Sequence, residues 1–270
     1  MPITDNNGVL IYSKKEADHN SDDPVHGEQL RHAWWSIRRG KPSSSEFPSI
    51  ITPSGIKPKW TCTTASGSET CGIKHTRLDI AEKCCAGKNR KSPEFFSPAE
   101  CPMELAEGSE SYVNRLIGDS FSLEYPVKEE FDNFHTRRGR RIEPLARRWI
   151  EFELNIEAKE VGIMVSQCGR FVSSPDSTEG DDGLQEIKSP AAHTQVEYLR
   201  AGTVPDEYLM QVHGQLVVSK RKYVRFVSFH PGLPSLNIVV TPNEITDKLA
   251  AALELFWERY QAELSRIRAM

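Results

Sequence analysis

Phe171-Val-Ser-Ser-Pro-Asp-Ser-Thr-Glu-Gly-Asp-Asp-Gly-Leu-Gln-Glu-Ile-Lys-Ser-Pro190 is the run on which the reading of this chain turns. Asp176 stands ten residues before Glu186, and Glu186 opens the tripeptide Glu186-Ile-Lys188. Side chains alternate along an extended strand, so residues two apart point the same way. Glu186 and Lys188 therefore share a face, and Ile187 points into the core. Asp181-Asp-Gly183 is turn chemistry, and Pro190 closes the strand that begins at Leu184. Upstream, Glu160 to Ser166 and Arg170 to Ser174 read as two more strands. A three-strand meander with carboxylates at its strand ends is thereby predicted. A hairpin that brings Asp176 beside Glu186 and Lys188 would gather two hard oxygen ligands and one ammonium. Such a set suits Mg²⁺, which takes one or two carboxylates and keeps waters for substrate phosphate, and Mn²⁺ fits the same oxygens. With a lysine to hold the attacking water, this is equipment for hydrolysing a phosphodiester. An Asp and a Glu-x-Lys at this spacing also recur as unconnected surface charges. The strand setting separates the two readings.

Outward from that run, 270 residues with 38% hydrophobic content can hold one large domain, or a domain with a small insertion. The formal net charge of −4 excludes a globally basic protein, so contact with nucleic acid must rest on local patches. No apolar run approaches the length of a membrane span. The opening Met1-Pro-Ile-Thr-Asp-Asn-Asn7 lacks the basic and apolar segments of an export signal, so a cytoplasmic location is expected. Residues 1–27 are polar and read as a flexible arm with one short strand at Val9–Tyr12. Residues 28–270 form the main domain, interrupted at about 56–104 by a loop-rich, Cys-rich insertion.

The element pattern is α/β (α+β). A helix from Gly27 carries Leu30, Trp34 and Trp35, then gives way to Arg38-Arg-Gly-Lys41 and Ser43-Ser-Ser45. Helices follow at 110–119 and 127–157. The second has apolar residues at helical period from Phe131 to Phe152, and Gly139 and Pro144 predict a kink or break in it. It also carries Arg137, Arg138, Arg140, Arg141, Arg147 and Arg148, which form either a solvated face or a phosphate-binding one. After Pro190 come a short helix, a second helix with Leu209, Val212 and Leu216 turned to a sheet, strands at 223–229 and 236–240, and an amphipathic helix at 241–268.

Five of these segments together resemble the phage lambda-type exonucleases, the YqaJ-like viral recombinase family of the PD-(D/E)xK nucleases. Ser174-Pro-Asp176 and Glu186-Ile-Lys-Ser-Pro190 resemble the catalytic strands, Gly139-Arg-Arg-Ile-Glu143 the helix with an upstream glutamate, and Tyr208-Leu-Met-Gln-Val-His213 the helix after the sheet. Trp34 to Gly40, with Ser43 to Ser45, resembles the segment that holds the terminal phosphate. The resemblance implies a restriction-endonuclease-like core, a central mixed sheet flanked by helices. It implies that Asp176 and Glu186 ligate two divalent metals with the Ile187 carbonyl, that Glu143 lies near the metals, that Lys188 positions the water and that Gln211 supports the site. Arg38, Ser45 and Ser174 would bind a 5′-phosphate, with Arg137, Arg140 and Arg141 on the DNA. Further implied are 5′→3′ hydrolysis of linear double-stranded DNA to mononucleotides in a phage-infected or lysogenic bacterium, a homotrimeric ring, and a single-strand annealing protein as partner. His213 stands where the family often has another glutamine, and the serine run leaves Ser43 and Ser44 as alternatives to Ser45. A sequence-specific endonuclease and an inactive DNA-end-binding protein are the competing readings.

The chain has six cysteines, Cys62, Cys71, Cys84, Cys85, Cys101 and Cys168, and five lie between positions 62 and 101. Without an export signal, metal binding is the better reading than disulfides. Zn²⁺ wants four thiolate or imidazole ligands. Cys62, Cys71, His75 and Cys84 form the expected set, with Cys85 or Cys101 as substitutes. The alternative is a loop of free thiols.

Overall fold

The computed structural model describes residues 1–270 apart from 19, 20, 22, 24, 53–58, 67, 68, 76, 77, 85–92, 98, 99, 101–103 and 123–133. In chain order the described strands are β1 (Ile3–Thr4), β2 (Leu10–Tyr12), β3 (Lys59–Thr61), β4 (Ala65–Ser66), β5 (Glu69–Thr70), β6 (Lys74–His75), β7 (Glu94–Phe96), β8 (Lys159–Glu160), β9 (Ile163–Val165), β10 (Val172–Ser173), β11 (Ser177–Glu179), β12 (Gly183–Lys188), β13 (Tyr223–Ser228) and β14 (Leu236–Val240). The helices are α1 (Gly27–Arg38), α2 (Leu78–Lys83), α3 (Gly108–Phe121), α4 (Phe134–Leu154), α5 (Ala192–Ala201), α6 (Asp206–Ser219) and α7 (Glu244–Arg268). A 3-10 helix spans Ser44–Ser49.

The central sheet runs β14-β13-β12-β11-β8. Its β12 and β13 are parallel, joined by a crossover through α5 and α6, and its other neighbours are antiparallel. Alternation along β12 sorts the two faces. Leu184 joins Val224, Phe226, Met210, Val212 and Leu253 in the larger core, beneath α6 and α7. Ile187 faces the other way and packs with Val227 and Phe229 on Ile142, Ala146 and Ile150 of α4. The sheet is thus mixed and covered by helices on both sides, as the resemblance implies.

Three expectations need correction. The predicted meander is two sheets. β10 pairs with β9 in a separate sheet ordered β1-β2-β9-β10, and the partner of β12 is β11, a strand the sequence did not announce. Ser177, Thr178 and Glu179 are polar, and their burial comes from pairing with β8 on one side and β12 on the other. The N-terminal segment is not a free arm. The strand expected at Val9–Tyr12 forms as β2, but it pairs with β1 in a hairpin laid on β9, with Val9 and Ala17 fully buried. Finally, α4 runs unbroken through Gly139 and Pro144, held by its Ile142, Ala146, Ile150 stripe, while Leu145 and Phe152 are exposed. The expected start of that helix at 127–133 lies outside the described residues.

The insertion contributes a small sheet, β6-β3-β7, and the β4–β5 pair. No helix among the described residues is long and apolar enough to cross a membrane.

Candidate active site

The β11–β12 hairpin carries the acidic pair. Ser177 faces Gln185, the Asp176 amide donates to the Gln185 carbonyl at 3.0 Å, and the Ile187 amide donates to Asp176 Oδ2 at 2.5 Å. Asp176 is therefore fixed beside Glu186, as the sequence predicts. Lys188 Nζ lies 2.5 Å from Glu186 Oε1, on the shared face. Beyond the hairpin turn, Glu179 is clamped by Arg225, whose Nε and Nη2 each donate at 2.8 Å, and by the Tyr223 hydroxyl at 2.7 Å. This buried cluster holds the far end of the hairpin and so the register of the near end.

Helix α6 secures Glu186 from above. Gln211 Nε2 donates to Glu186 Oε1 at 2.7 Å, and Gln215 Nε2 donates to Oε2. Four residues apart, the two glutamines lie on one helix face. Gln215 escaped the sequence reading, although two glutamines at that spacing on an otherwise apolar helix were a usable signal. His213, where the resemblance expects a second glutamine, is buried on another face and bonds Thr246 Oγ1 at 2.8 Å, in the N-cap of α7. The second glutamine is supplied two residues later. At Gly214 a Cβ would come 2.3 Å from the Phe47 ring, so the bare backbone lets the 3-10 helix press against α6.

The electrostatics follow from crowding. Burial first, then the Glu186 and Glu143 carboxylates, push the Asp176 carboxyl well above its ordinary value. Burial works against the Lys188 charge, but Glu186 and Asp176 outweigh it and hold the ammonium above its ordinary value. Its Nζ also sits 4.7 Å from the Tyr208 ring centroid. Glu143 on α4 is close enough to act on Asp176, and is itself paired with Arg147 at 2.6 Å and Lys14 at 3.8 Å. Asp176 and Glu186 thus face one lysine in a partly buried pocket, while Glu143 nearby is already countered by Arg147 and Lys14. An oxygen-only donor set short of positive charge fits a hard divalent cation.

A cleft of about 580 Å³ joins Asp176, Glu186, Lys188 and Gln211 to Arg38, Ser45 and Ser174. Its construction is local. The Pro42 carbonyl accepts from the Val172 amide at 3.0 Å and Ser43 bridges to Val172, so the serine run lies along β10. The Ser44 hydroxyl is spent on Ser173 at 3.1 Å, the Ser43 amide donates to the Tyr112 hydroxyl at 3.0 Å, and the Ser43 and Ser45 hydroxyls lie 3.3 Å apart, with Ser45 the exposed one of the three. The Arg38 guanidinium stacks 4.8 Å over Trp34, whose indole donates to Ser174 at 3.3 Å. Arg39, Lys41 and Arg115 complete the basic wall. The described arginine side chains of α4 do not line the cleft. Arg140 and Arg141 lie outside the residues lining this cleft, and the side chain of Arg137 is outside the described residues.

In the insertion, the Cys62, Cys71 and Cys84 thiols lie within 4.8 Å of one another. His75 is not in that group. It pairs with Trp60, two residues before Cys62 on the same face, roughly 7 Å along the strand. Cys85 and Cys101 lie outside the described residues.

A mixed sheet that displays Asp176 and Glu186-Ile-Lys188 under a helix bearing two glutamines defines the restriction-endonuclease-like class. Residues 33–222 match the model of the YqaJ-like viral recombinase domain, and the chain belongs to that family. Among solved structures it is similar to an alkaline exonuclease (LHK-Exo) from Laribacter hongkongensis, at 20% identity and a TM-score of 0.61, covering 88% of this chain and 96% of that one. The complex of that exonuclease with dAMP matches at 21% identity and a TM-score of 0.59, with the same coverage. At this identity the likeness establishes the fold. No curated protein sequence matches the chain.

Proposed function

We propose that this protein is a divalent-metal-dependent 5′→3′ exonuclease that degrades linear double-stranded DNA to mononucleotides and leaves 3′ single strands for recombination by annealing. One observation carries this reading: a single cleft is lined both by the acidic residues of the hairpin and by a guanidinium with two hydroxyls. A terminal 5′-phosphate bound by Arg38, Ser45 and Ser174 would set the first phosphodiester beside Asp176, Glu186 and Lys188. Membership of a viral recombinase family and a fold shared with an alkaline exonuclease support the same substrate class.

Asp176, Glu186 and the Ile187 carbonyl would hold Mg²⁺, two ions per site, with Glu143 nearby and Mn²⁺ as a substitute. Bound there, such an ion supplies Lewis acidity and makes water nucleophilic near neutral pH. The chain's own groups do the rest. Lys188, kept protonated by its carboxylate neighbours, donates a hydrogen bond toward the attacking oxygen and offsets charge that develops on the phosphoryl group. Gln211 and Gln215 keep Glu186 from rotating, so its remaining lone pairs stay directed into the cleft. Arg38 neutralises the terminal phosphate through a fork that can bond two oxygens at once. The family resemblance extends the proposal to a homotrimer around the duplex, to a single-strand annealing partner and to the cytoplasm of a phage-bearing bacterium.

Three substrates test the reading in the presence of Mg²⁺: linear duplex with 5′-phosphate, the same duplex dephosphorylated, and covalently closed circular DNA. Release of mononucleotides from the first, slower release from the second and none from the third is expected. Cutting of the circle would point instead to an endonuclease, and inertness toward all three to a DNA-end-binding protein without catalysis.

A further inference from the structure

The insertion is poorly equipped to hold itself together by packing. Among its described residues, Cys62, Thr64 and Ala81 are buried, while Ile73, Leu78, Ile80 and Phe95 are exposed. A module of this size whose described residues bury so little apolar surface gains its stability from a crosslink or a metal.

Its three elements nonetheless converge, and they converge on sulfur. Cys62 follows β3, Cys71 lies in the turn after β5, and Cys84 ends α2. The first two are pinned by main-chain bonds. The Cys62 amide donates to the Ile73 carbonyl at 2.9 Å, the Gly72 amide to the Cys62 carbonyl at 3.0 Å, and the Cys71 amide to the Thr64 carbonyl at 2.9 Å. Gly72 takes a φ of 64°, the left-handed conformation that turns the chain directly after Cys71. Backbone amides thereby hold the thiols at a fixed separation. All three sulfurs lie within 4.8 Å of one another, with Cys71 and Cys84 3.8 Å apart.

That spacing selects among the ways three cysteines can meet. A disulfide needs its sulfurs about 2.05 Å apart. A tetrahedral ion with Zn–S bonds of about 2.3 Å places its sulfurs about 3.8 Å apart. An iron–sulfur cluster puts each thiolate on its own iron and so spreads the sulfurs more widely. Soft thiolates also discriminate against the hard Mg²⁺ suited to Asp176 and Glu186, so the two sites sort different metals.

We propose that the insertion carries a structural zinc site, with the Cys62, Cys71 and Cys84 thiolates as three of its ligands. The site is separate from the catalytic cleft, whose lining includes no residue of the insertion among those described. Its purpose is to tie β3, the turn at Gly72 and α2 into one unit.

The test uses the full-length protein, purified without chelator and analysed by mass spectrometry for metal content. Roughly one zinc per chain is expected, as is its release when a mercurial reagent blocks the thiols of the folded wild-type protein. The double variant Cys71→Ser/Cys84→Ser should fall below about a tenth of an equivalent, whereas Asp176→Asn should keep its zinc. Chelation should lower the melting temperature of the wild type and leave that of the double variant unchanged. Less than about a tenth of an equivalent in the wild type would overturn the proposal. So would iron in place of zinc, zinc lost with Asp176→Asn but kept by the cysteine variant, or an intact mass showing an oxidised Cys71–Cys84 pair. Because the zinc readouts do not use DNA, they stand or fall apart from the nuclease assignment.

Discussion

Substituting Arg38 separates phosphate recognition from hydrolysis. The guanidinium is half-buried at the end of α1, stacked 4.8 Å over Trp34, with Ser45 and Ser174 in the same cleft. Burial draws its pKa down, but guanidinium titration stays far above the working range, so the group is fully charged. A hydrogen bond to a charged partner contributes about 1.5–3 kcal/mol, a factor of roughly 10 to 150 in binding or rate. Arg38→Ala should therefore reduce kcat/KM on duplex with a 5′-phosphate by about that factor. On duplex with a 5′-hydroxyl it should change little, so the preference between the two ends collapses toward one. Arg38→Lys should recover only part, because an ammonium cannot bond two phosphate oxygens in parallel. Losing the stacking over Trp34 costs about 0.5–1 kcal/mol of stability, too little to unfold the protein and measurable as a control. The assay compares initial rates of acid-soluble nucleotide release from the two duplexes at matched Mg²⁺. If Arg38→Ala retains the wild-type preference for phosphorylated ends while its melting temperature is unchanged, the phosphate assignment is wrong.

Three further outcomes are expected. Gln215→Leu removes one of the two amide donors from the buried Glu186, and should lower kcat with little change in KM for duplex DNA; a pure KM effect would place Gln215 outside catalysis. Glu179→Ala leaves the partly buried Arg225 with only Asn237 as a partner, and should cost about 2–3 kcal/mol, seen as a melting temperature lower by roughly 5 °C or more; a change of under a degree would show that the cluster does not hold the hairpin. His213 has its pKa pushed down by burial to about 4, so the unfolded chain takes up its proton at higher pH than the folded one. Stability is thus complete above the unfolded value of about 6.5 and falls as pH drops toward 4, by roughly 3 kcal/mol in all. Denaturant unfolding of wild type and His213→Gln across that range should show the acid loss largely absent from the variant.

How much of this was legible in the residues depends on whether local rules or long-range pairing set the outcome. Glu186, Ile187 and Lys188 were readable because strand alternation is local, and the turn residues Asp181-Asp-Gly183 marked where that strand begins. β11 was not, since nothing in Ser177-Thr-Glu179 is apolar and its burial belongs to the neighbours it meets. Gln211 and Gln215 illustrate a usable signal read by half. The helix is legible from its apolar period, and Gln215 stands one turn beyond Gln211 on the same face, whereas His213 between them points elsewhere. The six arginines clustered on α4 read as either a solvated or a phosphate-binding face, while the basic side of the cleft comes from Arg38, Arg39 and Lys41 on one segment and Arg115 on another, distant in sequence. Likewise, cysteine spacing alone grouped Cys62, Cys71 and Cys84, and strand pairing, invisible to spacing, set His75 apart.

Lys188→Ala offers the most direct test of the central claim, that the hairpin acids and this lysine form one hydrolytic centre. Single-turnover incubation of the variant with linear, 5′-phosphorylated duplex and Mg²⁺ should give bound, intact DNA, with cleavage slowed by about 10²–10³-fold or more. Wild-type cleavage by the folded variant would contradict the account.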